Sequence, residues 1–294
     1  MLRTPCWLVF GLLAASALAG EPGAQQPPPL TILTHQEPPF VYHDEEGKLT
    51  GYAVELVRGI QSETGDETPI LLNPWARIYF RATSEPNVLL FSLVRNADRE
   101  STFHWITPIT RNLHGLFADR DLHLEIQSLK DLEKLPAIGV QRGDFREQLL
   151  IEAGLTNLVS YTTWPQALGA LLKGRVSALF FSAAGIDYYC KELQENCSNI
   201  VNIYQHEVVA TYLALSRQGT SDELVRQWKQ AAEDYKASED FAKMAGDWVN
   251  RYRKELGFPL HLGDGALNFW VKPRAGTPAA SIRSAHPDQS GSLN

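Results

Sequence analysis

Between Leu30 and Gly257, short aliphatic or β-branched runs alternate with amphipathic stretches of helical period. That alternation restricts the chain to α/β architecture with largely parallel sheets, because helices must cover the sheet faces between successive strands. Strand-like runs fall at Leu30–Thr34, Pro69–Leu72, Val88–Val94, Leu113–Phe117, Ala137–Val140, Leu158–Tyr161, Ser177–Phe181 and Val208–Leu215. Helical patterns lie between them. Val54, Val57 and Ile60 share one face of a helix over Gly51–Thr64, and Gly65 is placed to stop it. A short helix is expected over Ile78–Thr83, another from Gly143 to about Ala153, and a third opened by Pro165 and stopped by Gly174. After Ser221, the stripes Val225, Trp228, Tyr235 and Phe241, Trp248, Tyr252 repeat at helical spacing and read as core. Single cores seldom grow past ~250–300 residues, so a chain of 294 residues suits two lobes.

The two ends carry different signals. Arg3, the apolar run Cys6–Leu13 and the small-residue site Ala17-Leu18-Ala19 have the order of a secretory signal peptide, cleaved after Ala19. The apolar run is shorter than the ~20 residues that span a bilayer. Residues 20–29 form a proline-rich leader, and residues 271–294, rich in Ala, Ser, Pro and Gly, read as a disordered tail. Secretion implies an oxidising, periplasmic setting. There the close pair Cys190 and Cys197 is expected to form a disulfide that pins a local turn.

A net charge of −7 argues against nucleic acid and anionic membrane surfaces as partners. The sequence lacks a phosphate-binding loop, a dinucleotide fingerprint, a nucleophile elbow and metal-ligand spacing among its eight histidines. No cofactor and no metal are expected, and no catalytic residue can be assigned.

Three segments taken together resemble the bacterial extracellular solute-binding protein family 3, the periplasmic binding proteins of polar amino-acid importers. The first is Glu37-Pro38-Pro39-Phe40 followed by Gly47-Lys48-Leu49-Thr50-Gly51-Tyr52-Ala53-Val54-Glu55-Leu56. The second is Ser92 to Glu100 with Trp105-Ile106-Thr107-Pro108. The third is Ile138-Gly139-Val140-Gln141-Arg142-Gly143-Asp144, with Gly174 to Ala178 further on.

The resemblance implies a type II periplasmic-binding-protein fold, two α/β lobes joined by two crossing segments with a ligand cleft between them. Lobe one would comprise 30–119 and 206–270, and lobe two 120–205. The crossings would fall near 116–120 and 205–211. The implied function is capture of a small polar, carboxylate-bearing ligand by hinge closure. A monomer would deliver it to the permease of an ABC importer, a separate chain. The alternatives are a cyclohexadienyl-type dehydratase on the same fold and a ligand-sensing module for a membrane receptor.

Site residues follow from the same resemblance. Arg99 matches the arginine that clamps a ligand carboxylate, and Arg95 lies one turn away to add charge. Glu37 sits in the first cleft loop, with Phe40 beneath it. Trp75 and Arg77 precede the expected helix, which faces the same region. Gly143, Asp144 and Phe145 begin a lobe-two helix whose backbone N–H groups suit an anion, with Asp144 capping it or touching ligand. Ser182 stands where the family usually has an acid for the ligand ammonium, and Val94 where it usually has a hydroxyl. Asp144 or Glu37 is the candidate replacement for that acid.

Overall fold

The computed structural model describes residues 28–257 and 260–269. The expected signal sequence, most of the expected leader and the expected tail lie outside them. Lobe one contains β1 (Thr31–Thr34), the hairpin β2 (Tyr42–His43) and β3 (Leu49–Thr50), α1 (Tyr52–Thr64), β4 (Ile70–Leu72), α2 (Trp75–Ser84) and β5 (Val88–Val94). The chain then enters β6 (Phe103–Asp119). Lobe two follows with β7 (Ile138–Gln141), α3 (Phe145–Glu152), β8 (Leu158–Tyr161), α4 (Trp164–Leu172), β9 (Ala178–Ser182) and α5 (Ala183–Glu192). Strand β10 (Ile200–Ser216) returns to lobe one, completed by α6 (Asp222–Ala237), α7 (Glu239–Leu256), β11 (His261–Gly263) and β12 (Ala266–Phe269).

One mixed sheet runs through both lobes in the order β4-β1-β5-β10-β6-β9-β7-β8. Strands β6 and β10 are each 17 residues long and pair antiparallel from Phe103↔Ser216 to Asp119↔Ile200. They are therefore the crossings. In lobe one, β6 borders β12 at Thr110–Asn112; in lobe two it borders β9 at His114–Ala118. The outer neighbour of β6 changes at Leu113, which pairs with Val208 of β10. The sequence reading found only part of each strand. Pro108 interrupts the first half of β6, which therefore does not read as strand.

Each lobe covers its sheet on two faces. In lobe one, α1, α6 and α7 bury Leu56, Trp228 and Tyr252 against β5, while α2 buries Ile78 and Ala82 against Leu33 and Leu90. In lobe two, α3 covers one face through Leu150 against Leu116 and Phe180. Helices α4 and α5 cover the other through Leu168 and Tyr189 against Phe117 and Phe181. Cys190 and Cys197 are bonded, as expected, and tie the end of α5 to the turn before β10.

Two details of lobe one fix the Glu37 loop. The Tyr252 hydroxyl donates to the Pro39 carbonyl (2.6 Å) and accepts from the Tyr52 backbone N–H (3.3 Å). Gly51, with φ +118, brings its backbone so close to Phe40 that a Cβ there would lie 2.1 Å from the Phe40 carbonyl oxygen. A helix start, a helix face and the loop are thereby joined.

Gly115 performs the same service at the crossing, where a Cβ would lie 2.1 Å from the Tyr204 carbonyl oxygen. Gly115→Ala must force β6 and β10 apart. It is expected to lower unfolding free energy by ~3 kcal/mol in urea denaturation, at the upper end of the usual cost of overpacking.

Candidate functional site

The lobes face each other across a narrow cleft. Lobe one contributes His35, Gln36, Glu37, Pro38 and Trp75. Lobe two contributes Gln141, Arg142 and Asp144 from the β7–α3 turn, Trp164 from α4, Phe181 and Ser182 from β9, and Tyr189 from α5. The enclosed space is ≈ 20 Å³, room for about one ordered water.

The electrostatic centre is Arg146, the second residue of α3. Its side chain is 2% exposed. Its Nε donates to His114 Nδ1 (3.2 Å) and its Nη1 to Asp144 Oδ2 (2.8 Å). Its Nη2 faces Glu37 Oε1 of the other lobe at 3.6 Å. The guanidinium also lies over the rings of Phe145, Trp164 and Phe181 at 4.7–5.3 Å. Trp164 and Phe181 stack on each other with centroids 3.7 Å apart. A buried cation needs such company, because unpaired it would cost several kcal/mol in lost hydration.

Local sequence explains how α3 carries it. Asp144 caps the helix, its Oδ1 accepting from the Arg146 backbone N–H (2.8 Å). The same carboxylate thus caps the helix and pairs with the guanidinium. A cation in a first helical turn opposes the helix dipole, and Asp144 offsets that. Gly143, with φ +72, makes the preceding turn and donates its N–H to Glu147 Oε2 (2.5 Å).

Protonation follows from these contacts. Burial pushes the Glu37 carboxyl up, but His35, whose Nε2 lies 2.5 Å from Glu37 Oε2, and Arg146 outweigh it and hold Glu37 below its ordinary value. Burial raises the Asp144 carboxyl despite Arg146 beside it, and the Glu37 charge adds to the rise. Burial, reinforced by the Arg146 charge, holds the His114 imidazole well below 6.5. Its Nδ1 accepts from Arg146, so the ring proton of neutral His114 sits on Nε2.

Of the residues singled out from sequence, Glu37, Trp75, Asp144 and Ser182 line the cleft, and Gly143 and Phe145 belong to the turn behind it. The Ser182 hydroxyl caps α5, accepting from the Gly185 N–H. Phe40 is buried in the lobe-one core edge-on to Phe269. Arg77 is exposed on α2. Arg99 lies behind Trp75, and neither it nor Arg146 is among the residues lining the enclosed space, although Arg146 reaches the lining residue Glu37 of the other lobe. The Arg99 guanidinium sits 5.2 Å from the Trp75 ring and 5.0 Å from Tyr79, and Nη1 donates to the Val94 carbonyl. Arg95 forks onto Glu100 and lies over Trp105 and Tyr212.

The sequence reading did not single out His35, Arg142, Arg146, Trp164, Phe181, Tyr189 or a cleft role for His114. Arg146 carried a readable signal, a basic residue in a first helical turn beside an acidic cap. Among the described residues no group of three or more His, Cys, Asp or Glu could hold a metal ion. Among them also, no helix is long and apolar enough to cross a membrane.

The profile of the bacterial extracellular solute-binding proteins, family 3, matches residues 30–251, and the chain belongs to that family. No curated protein sequence matches it. Solved structures share the fold. One is a histidine kinase sensor domain with similarity to periplasmic binding proteins, at 21% identity and TM-score 0.65, covering 75% of this chain and 96% of that one. Another is an ancestral arginine-binding protein bound to arginine, at 21% identity and TM-score 0.62, covering 74% and 97%. A third is an ancestral amino acid-binding protein, a precursor of cyclohexadienyl dehydratase, at 18% identity and TM-score 0.59, covering 77% and 94%. These likenesses bear out the two-lobed α/β fold.

Two outcomes test the centre of the site. Arg146→Met leaves Glu37 and Asp144 without their cation and is expected to cost ~3–5 kcal/mol in chemical denaturation. The second concerns pH. His114 stays neutral in the folded protein, whereas an unfolded histidine takes a proton below 6.5. The unfolded state then binds more protons, so stability falls as pH drops below 6.5, with a slope approaching about 1.4 kcal/mol per pH unit for each such group. His206, also lowered by burial, adds to the slope. His114→Gln should flatten it by one proton's share in denaturation curves across that window.

Proposed function

We propose that the protein is a secreted receptor that captures a small polar, carboxylate-bearing ligand by closing its lobes, and delivers it to the permease of an ABC importer. The observation that carries this reading is Arg146. It is a buried guanidinium, anchored on two sides, whose remaining arm points across the cleft into the opposite lobe. A guanidinium fork suits carboxylate recognition, and a closed, poorly hydrated cleft strengthens the pairing. Paired crossing strands suit hinge closure, and the signal-like N-terminal sequence supports a periplasmic location. The reading takes the ligand as an amino acid or a related acid, and the receptor as a monomer that acts without cofactor or catalysis.

A dehydratase would need a carboxyl that keeps its proton near neutral pH to act as general acid. Of the two cleft carboxylates, Glu37 is held ionised by His35 and Arg146, and Asp144, raised by burial, is occupied in capping α3 and pairing with Arg146. That favours binding over turnover. The fold likeness to a histidine kinase sensor domain supports a second reading, in which the same binding event is reported to a membrane receptor.

Thermal unfolding of residues 20–294 against amino acids and small organic acids tests the proposal. A ligand at about 100 times its Kd should stabilise the protein by ~2.7 kcal/mol and be recovered unchanged. Consumption of the ligand would replace the receptor by an enzyme. No shift with any carboxylate would overturn the reading.

A further inference from the structure

The charges facing each other across the cleft stand in the opposite order to the family pattern. In that pattern an arginine of lobe one takes the ligand carboxylate and an acid of lobe two takes its ammonium. Here the lobe-one arginines are engaged elsewhere: Arg99 lies against Trp75 and Tyr79, and Arg95 is forked onto Glu100. On lobe two, Ser182 occupies the acidic position and caps α5. The ion pair that spans the cleft is instead the half-buried Glu37 from lobe one and the buried Arg146 from lobe two.

Neither member is saturated by its own lobe. Arg146 spends Nε on His114 and Nη1 on Asp144, which leaves Nη2 aimed at lobe one. Glu37 engages His35 through Oε2 and turns Oε1 toward Nη2. Their separation of 3.6 Å exceeds hydrogen-bond length, so the contact is an ion pair without the bond that would complete it. Each lobe thus presents half of a charge pair.

Resting on the carboxylate-receptor reading above, we propose that the cleft takes a small zwitterion in the inverted pose, with its cationic group on Glu37 in lobe one and its anionic group on Arg146 Nη2 in lobe two. Such a ligand exchanges one long ion pair for two direct ones and joins the lobes through its own body. A ligand with one charge completes one half and leaves the other with only the partner of its own lobe, His35 or Asp144, which is the basis of its weaker binding. Asp144, already on Nη1, confines the anionic group to the Nη2 side.

Isothermal titration tests the pose, with the twenty common amino acids as probes and then the deaminated and decarboxylated analogues of the tightest. On the unaltered protein each analogue should bind about thirtyfold more weakly or worse than the amino acid. Glu37→Gln should weaken the amino acid to the level of its deaminated analogue, whose own affinity moves by no more than about fivefold. Arg146→Lys, with its fork removed, should weaken the amino acid while sparing the decarboxylated analogue. Circular dichroism melting checks that each variant folds; if Arg146→Lys does not, the Glu37→Gln result decides alone. Equal losses of amino acid and deaminated analogue in Glu37→Gln would overturn the pose, as would loss of carboxylate selectivity in Arg99→Lys with Glu37→Gln unaffected. Binding of organic acids but of no amino acid would sink the zwitterion and leave the carboxylate receptor standing. Binding of neither would remove both.

Discussion

The antiparallel pairing of β6 with β10 is the constraint on which the rest of the structure depends. Two strands of 17 residues serve both lobes, and each changes its outer neighbour part-way along. Backbone donors and acceptors that leave one lobe must be satisfied before they enter the next. A ladder running straight through the crossing does this without a loop. It also explains the small residue at Gly115 and the buried hydroxyl pair Thr110–Thr211 (2.8 Å) beside the crossing. Register irregularities flank the crossing on both sides, between Asn202 and Tyr204 and between Gln205 and Glu207 in lobe two, and between Thr211 and Tyr212 and between Leu213 and Ala214 in lobe one, and such bulges bend the paired strands.

The cleft that this ladder creates is organised around one buried charge. Arg146 needs an acid nearby, and Asp144 supplies it from the same helix start, while His114 on β6 supplies a neutral acceptor. The rings of Phe145, Trp164 and Phe181 exclude water from the remaining surface. Glu37 reaches across from a loop that Tyr252 and Gly51 hold in place. Lobe one uses its own arginines differently: Arg99 supports Trp75 from behind, so it shapes a wall of the cleft through an aromatic ring.

Much of the fold was legible because helix and strand periods alternate, and because Gly65, Pro165 and Gly174 punctuate them. The full length of β6 was not, since Pro108 mimics a break that only the pairing with β10 overrides. The β11–β12 hairpin went unread although Asp264-Gly265, both at positive φ, is a turn signal of its own. In the site, Glu37, Trp75, Asp144 and Ser182 were reachable through the family pattern. Arg95 and Arg99 were reachable as charges, but nothing in their segment reveals that Glu100, Trp75 and Tyr79 engage them. Arg146 was obscured for the converse reason: its partners His114 and Glu37 lie far away in sequence, and only the fold brings them together.

Trp75 and Trp164 stand on opposite walls of the same cleft, one beside His35 and the other stacked on Phe181. Trp228 and Trp248 are buried in lobe one, away from it. Any parting of the lobes therefore changes the surroundings of two indoles while those two stay dry. The protein carries its own optical gauge of opening, readable in native emission without a label.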